Sequence, residues 1–121
     1  NHEKLVQLMI KTLSGHDCDV FEDRLVDVVY KDEDKLIFFE MKSITEDNKG
    51  NQLKKALGQL IFYKNYYCVN SVDLVVVTDS HFDHIDILKD DPIHIVWRDG
   101  ERFDSDTKTK SKLKELFSKY E

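Results

Sequence analysis

Arg24-Leu-Val-Asp-Val-Val-Tyr30, Lys31-Asp-Glu-Asp34 and Lys35-Leu-Ile-Phe-Phe-Glu-Met-Lys42 follow one another without a gap, and their reading decides the fold. The first and third pieces are apolar runs rich in β-branched and aromatic residues, which read as strands. The polar tetrapeptide between them reads as a turn, so the pair is a hairpin. Asp27, Glu40 and Lys42 interrupt these runs, and charge in such company is costly unless it is paired or holds a metal. With Asp32 and Glu33 at the turn tip, Asp27 faces Phe38 and lies diagonal to Glu40. Side chains alternate between faces, so Asp27, Glu40 and Lys42 project from the same face. Leu25, Val29, Leu36 and Phe38 share it and make it a poor surface for water, although a simply solvated polar face is the alternative. Two carboxylates and an ammonium on one patch can hold a divalent cation and handle a proton. Metal-assisted phosphodiester hydrolysis needs that combination.

Around the hairpin the chain alternates clearly. Leu5, Val6, Met9, Ile10 and Leu13 have helical spacing over His2 to Ser14, and Gly15 ends that helix. Cys18 to Phe21 is a short strand. Ser43 to Gly50 is a polar loop that leads into a helix from near Asn51 to about Tyr67, whose inward stripe is Leu53, Ala56, Leu57, Leu60, Ile61 and Tyr63. Val72 to Thr78 is almost uninterrupted and β-branched, so it reads as a buried strand parallel to its neighbour. A turn or short helix is expected around Phe82–Leu88, a strand over Ile93–Trp97, a tight turn at Asp99-Gly100 and a terminal helix over Lys110–Tyr120. A meander followed by a crossover helix and a further strand gives an α/β domain with a mixed sheet and helices on both faces.

At 121 residues the chain has room for one domain with one core, spanning 1–121. Because it begins with Asn1, it is expected to be cut from a longer protein. A composition 40% hydrophobic and 35% charged excludes broad disorder. No apolar run reaches the roughly 18–20 residues of a membrane span, and the N-terminus lacks a cleavage pattern. Cys18 and Cys68 read as two buried thiols of a cytoplasmic protein rather than as a disulfide. The net charge of −6 argues against tight, unaided binding to nucleic acid, yet carboxylates of a metal site count within it. Lys49, Lys54, Lys55 and Lys64 form a local basic cluster. The lysines at 108, 110, 112 and 114 read as a solvated helix face. His16, His81, His84 and His94 lack zinc spacing, and His81 and His84 read as loop residues.

The order of elements, with Asp27 on the second strand and Glu40-Met-Lys42 on the third, resembles the PD-(D/E)XK nuclease superfamily and its restriction-endonuclease-like αβββαβ core. Gln59-Leu-Ile-Phe-Tyr63 is similar to the Gln-x-x-x-Tyr signature of the RecB-like branch. Glu-x-Lys alone is a common tripeptide; joined to the upstream Asp27 and the helix motif it is much more specific. Val26 stands where many members have a proline.

That resemblance implies roles residue by residue. Asp27 and Glu40, with the Met41 carbonyl, would hold Mg²⁺ or Mn²⁺ through hard oxygen ligands, and Glu3, together with His2, would add a group from the first helix. Lys42 would orient the attacking water and meet the developing charge; a salt bridge to Glu40 is its alternative. Gln59 and Tyr63 would contact the site water or the substrate strand, or else serve as a satisfied core amide and a core ring. Lys54 and Lys55 would touch phosphates. The expected activity is Mg²⁺-dependent hydrolysis of DNA in a bacterial or phage restriction or defence system, by a chain that would act as a homodimer if it cuts duplex. The rival is an inactive nuclease-fold module that binds nucleic acid or a partner protein; the intact Asp, Glu and Lys set argues against it. A small-molecule domain ranks last, since the chain has no Gly-rich phosphate loop.

Overall fold

The computed structural model describes residues 2–15, 18–81 and 93–105, together with Thr109, Lys110, Leu113 and Leu116. Its elements are α1 (His2–Leu13), β1 (Asp19–Phe21), β2 (Val28–Lys31), β3 (Leu36–Lys42), α2 (Lys49–Tyr66), β4 (Asp73–Thr78), β5 (Ile93–Asp99) and β6 (Arg102–Ser105). They make one six-stranded sheet in the order β1-β2-β3-β4-β5-β6. The first three strands are antiparallel, β3, β4 and β5 run parallel, and β6 returns antiparallel. A parallel neighbour requires a crossover, and α2 is the one between β3 and β4.

The two sheet faces bury separate cores. Leu5, Val6, Met9 and Leu13 of α1 pack on Val28, Tyr30, Ile37, Phe39, Met41, Val75, Val77 and Val96. On the opposite face Leu53, Ala56, Leu60 and Tyr63 of α2 pack on Val29, Phe38, Leu74, Val76, Ile93 and Ile95. The period-2 alternation of β3 divides its side chains between the two helices, which is why both faces of this strand are buried. The α2 helix starts from a reciprocal pair, since Asn48 Oδ1 accepts the Thr45 N–H at 2.7 Å and Thr45 Oγ1 accepts the Asn48 N–H at 3.2 Å. It ends at Cys68, whose left-handed backbone (φ 55°) turns the chain.

Several expectations shift by a residue or two. The β2–β3 register pairs Val28 with Phe39 and Lys31 with Leu36, so the tip is Glu33-Asp34, not Asp32-Glu33. Asp32 drives this: its Oδ1 accepts the Asp34 and Lys35 N–H groups, each at 2.7 Å, and its Oδ2 accepts the Tyr30 hydroxyl at 2.7 Å. Continuing that register places Asp27 level with Glu40 rather than diagonal to it. The second strand begins at Val28, not Arg24, because the preceding residues are held in a turn. Cys68 is exposed rather than buried, while Cys18 is partly buried. His94 is buried on β5, with Thr109 Oγ1 at 3.4 Å from its Nδ1. The short strand β6, which carries only Phe103 as an apolar signal, went unread; Gly100 (φ 66°) closes the hairpin that pairs it with β5. The segment expected around Phe82–Leu88 lies outside the described residues. So does most of the terminal helix, of which Leu113 and Leu116 are helical and buried in the α1-side core. Among the described residues no helix is long and apolar enough to cross a membrane.

Candidate active site

Asp27 is delivered by a turn that its own sequence builds. The Asp23 N–H donates to the Val26 carbonyl at 3.1 Å, and Asp23 Oδ2 accepts the Leu25 N–H at 3.0 Å and the Tyr67 hydroxyl. The Tyr67 bond, with the backbone donors behind it, holds the Asp23 carboxyl below its ordinary range. The chain leaves this turn at Asp27, whose Oδ2 accepts the Met41 N–H at 2.8 Å. The carboxylate thus extends the ladder by one bond across β3, which fixes its height beside Glu40. From α1, His2 Nε2 lies 3.1 Å from the same oxygen.

Glu40 projects toward α2 and is 4% exposed. Its Oε2 lies 3.5 Å from Lys42 Nζ. Burial first, and then the Asp27 charge, raise its pKa from 4.5 to about 8, against the opposing pull of Lys42. Across from it, burial and then the Glu40 and Asp27 charges push the Tyr63 hydroxyl up to about 12. Asp27, Glu40, Lys42, Gln59 and Tyr63 therefore stand together.

Two acceptors in this group are unsatisfied. Glu40 Oε1 and Gln59 Oε1 are buried without a hydrogen-bond partner, at a cost of roughly 1–3 kcal/mol each for an ordinary buried polar atom. A carboxylate oxygen left bare beside a second carboxylate is the condition that a hard cation relieves. Among the described residues no three His, Cys, Asp or Glu side chains gather as a metal group. Mg²⁺ does not require three, because it keeps several waters and binds proteins through one or two carboxylates. The donor set fits such an ion.

Glu3 does not join the site. Its carboxylate accepts the Gln7 Nε2 at 2.9 Å on the exposed side of α1, because one step along a helix turns a side chain by about 100°, and His2 occupies the position that reaches Asp27. Met41 meets the site through its N–H, while its side chain sits in the core on the other face. Lys55 lines an open groove of about 390 Å³ with Gly58, Gln59, Phe62 and Tyr63. Lys54 is exposed on the same helix but is not among the groove residues. One contributor escaped the sequence reading. Asp79, just past β4, accepts the Ser43 hydroxyl at 2.6 Å and the Ile44 N–H at 3.1 Å, tying down the loop after Lys42. Its signal lay in topology: parallel strands finish side by side, and Lys42 pairs with Thr78.

No family model matches this sequence, and no curated protein does. Among solved structures the chain is similar to the crystal structure of an XisH family protein from Nostoc punctiforme PCC 73102. The TM-score is 0.59 at 17% identity, over 80% of this chain and 91% of that one. At such identity the likeness is one of fold. This chain has a restriction-endonuclease-like α/β fold, a six-stranded mixed sheet with α1 and α2 on its two faces.

Proposed function

We propose that this domain is a divalent-metal-dependent nuclease that hydrolyses phosphodiester bonds in DNA, in a bacterial or phage restriction or defence system. The observation that carries the reading is the buried Glu40 beside the half-buried Asp27, with Glu40 Oε1 unpartnered and Lys42 Nζ 3.5 Å from Oε2. Asp27 and Glu40, aided by the Met41 carbonyl, would hold Mg²⁺ or Mn²⁺, which supplies charge against the non-bridging phosphate oxygens. Lys42, steadied by Glu40, orients the attacking water and stabilises the negative charge that develops on the phosphorane oxygens. Gln59 would use its buried, unpartnered carbonyl oxygen to position that water or the strand. Lys55 and Lys54 meet phosphates along α2.

The domain should nick or degrade DNA with Mg²⁺ or Mn²⁺ and stop when EDTA is added. Glu40→Ala should abolish cleavage. Lys42→Ala should slow it by on the order of 10²–10³ while leaving DNA affinity near the parent value, since its charge matters most where charge develops. If the parent cuts nothing with either metal and Lys42→Ala weakens DNA binding, the hydrolysis reading is wrong and a binding-only module replaces it.

A further inference from the structure

The outward face of α2 does not look like a solvent face. Behind its buried stripe an amphipathic helix should show polar residues, yet Phe62 is 57% exposed, Tyr66 52% and Ile61 40%. Phe62 and Tyr66, four residues apart, stack with ring centroids 6.0 Å apart and planes at 25°. Each is braced from behind: Phe62 edge-on by Tyr63 at 6.1 Å, Tyr66 edge-on by Tyr67 at 5.1 Å. Arg24 Nη2 donates to the Tyr66 hydroxyl at 3.2 Å. The rings are therefore held in place with large faces open to solvent.

This ridge runs into the active site. Phe62 lines the groove with Lys55, Gly58, Gln59 and Tyr63, and a Cβ added at Gly58 would meet nothing within 4 Å, so the groove is open there. Gln59 and Tyr63 also belong to the cluster around Glu40. Charge follows the same line. In a chain of net charge −6, α2 carries Lys49, Lys54, Lys55 and Lys64 and no acidic residue. Lys55 and Arg24 bracket the rings over roughly 16 Å of helix, at 1.5 Å per residue.

From this arrangement we infer that α2 is a stacking platform for unpaired nucleotides, so that the site acts on single-stranded nucleic acid or on frayed and displaced ends. Bases stack on exposed rings without regard to sequence, whereas in a duplex their faces are already covered. Stacking also supplies what the overall charge withholds, because phosphate attraction alone dominates duplex binding and is weak for an acidic protein. A second copy of the chain suits the patch poorly, since it would set one lysine-rich, acid-free helix against another. The inference rests on the nuclease reading only for what happens to the strand once held.

The experiment measures fluorescence anisotropy of labelled oligothymidylate and of a duplex of equal length, in EDTA so that nothing is cut. The single strand should bind at least tenfold tighter than the duplex. Phe62→Leu and Tyr66→Leu, which keep an apolar side chain but remove the ring, should each weaken single-strand binding roughly tenfold or more and leave duplex binding unchanged. Phe62→Trp should bind the single strand as well as the parent or better. Unchanged single-strand affinity in the Leu variants, weaker affinity in the Trp variant, or a preference for duplex would overturn the inference. So would sedimentation of the parent as a dimer that the Leu variants dissolve, which would make a second copy the occupant. A strand held through the rings but never cut in Mg²⁺ would instead sink hydrolysis and leave the platform standing.

Discussion

At the residue scale, Glu40 concentrates the conflict on which the site is built. It is buried beside Asp27, with Lys42 offsetting part of the charge. Its proton is held until about pH 8 in the folded chain, against 4.5 ordinarily. Across that interval the folded state binds more protons than the unfolded state, so stability must fall as pH rises from about 4.5 through about 8 and level off beyond. Urea unfolding in EDTA at several pH values should show this decline in the parent. Glu40→Gln keeps the shape and removes the titration, so it should flatten the decline and be the more stable protein at pH 8. An equal slope in the two proteins would mean that Glu40 is ionised in the fold across the whole range.

At the scale of elements, the turn before β2 and the register of the β2–β3 hairpin decide whether Asp27 and Glu40 meet. Asp23 joins two elements, since its Oδ2 accepts from Leu25 within the turn and from Tyr67 at the end of α2. Asp23→Ala should cost about 1 kcal/mol, the scale of such a bond at a partly open surface. It should also speed amide exchange at Leu25 and Val26 and, under the proposed function, slow hydrolysis without altering Asp27 or Glu40 themselves. Exchange unchanged at those two amides would remove the turn from the account. The hairpin, the crossover helix and the parallel β4 were legible because hydrophobic period and β-branching report burial directly. The register was not. It hangs on Asp32, whose side chain captures two backbone N–H groups and moves the tip by one residue, and tetrapeptide composition does not encode that choice. Asp27, Glu40 and Lys42 stood out because they interrupt strongly patterned strands, and Gln59 and Tyr63 because of the helix motif they share with the resembling family; the structure brings the five together. Glu3 was misjudged where neighbouring polar residues open a helix and only the angle of rotation decides between them. Asp79 stayed hidden because its role requires knowing that β3 and β4 end together.

For the whole molecule, the charge distribution sets up a test of the proposed metal site that does not depend on cleavage. A chain of net charge −6 repels itself, so any divalent cation raises its melting temperature somewhat by screening. A cation held between Asp27 and Glu40 adds a second contribution, because it binds the folded state alone. At one hundred times its dissociation constant that linkage is worth about 2.7 kcal/mol, roughly 10 °C for a domain of this size. The two contributions separate by mutation. Glu40→Gln leaves the diffuse charge nearly as it was but takes away one of the two carboxylates, so Mg²⁺ or Mn²⁺ should raise the parent's melting temperature by several degrees more than the variant's. Monovalent salt at matched ionic strength should raise both alike. Equal increments from the divalent ions in parent and variant would place the bound cation elsewhere, among the acidic turns such as Asp32 to Asp34, and would leave the unpartnered Glu40 oxygen without the partner argued for it.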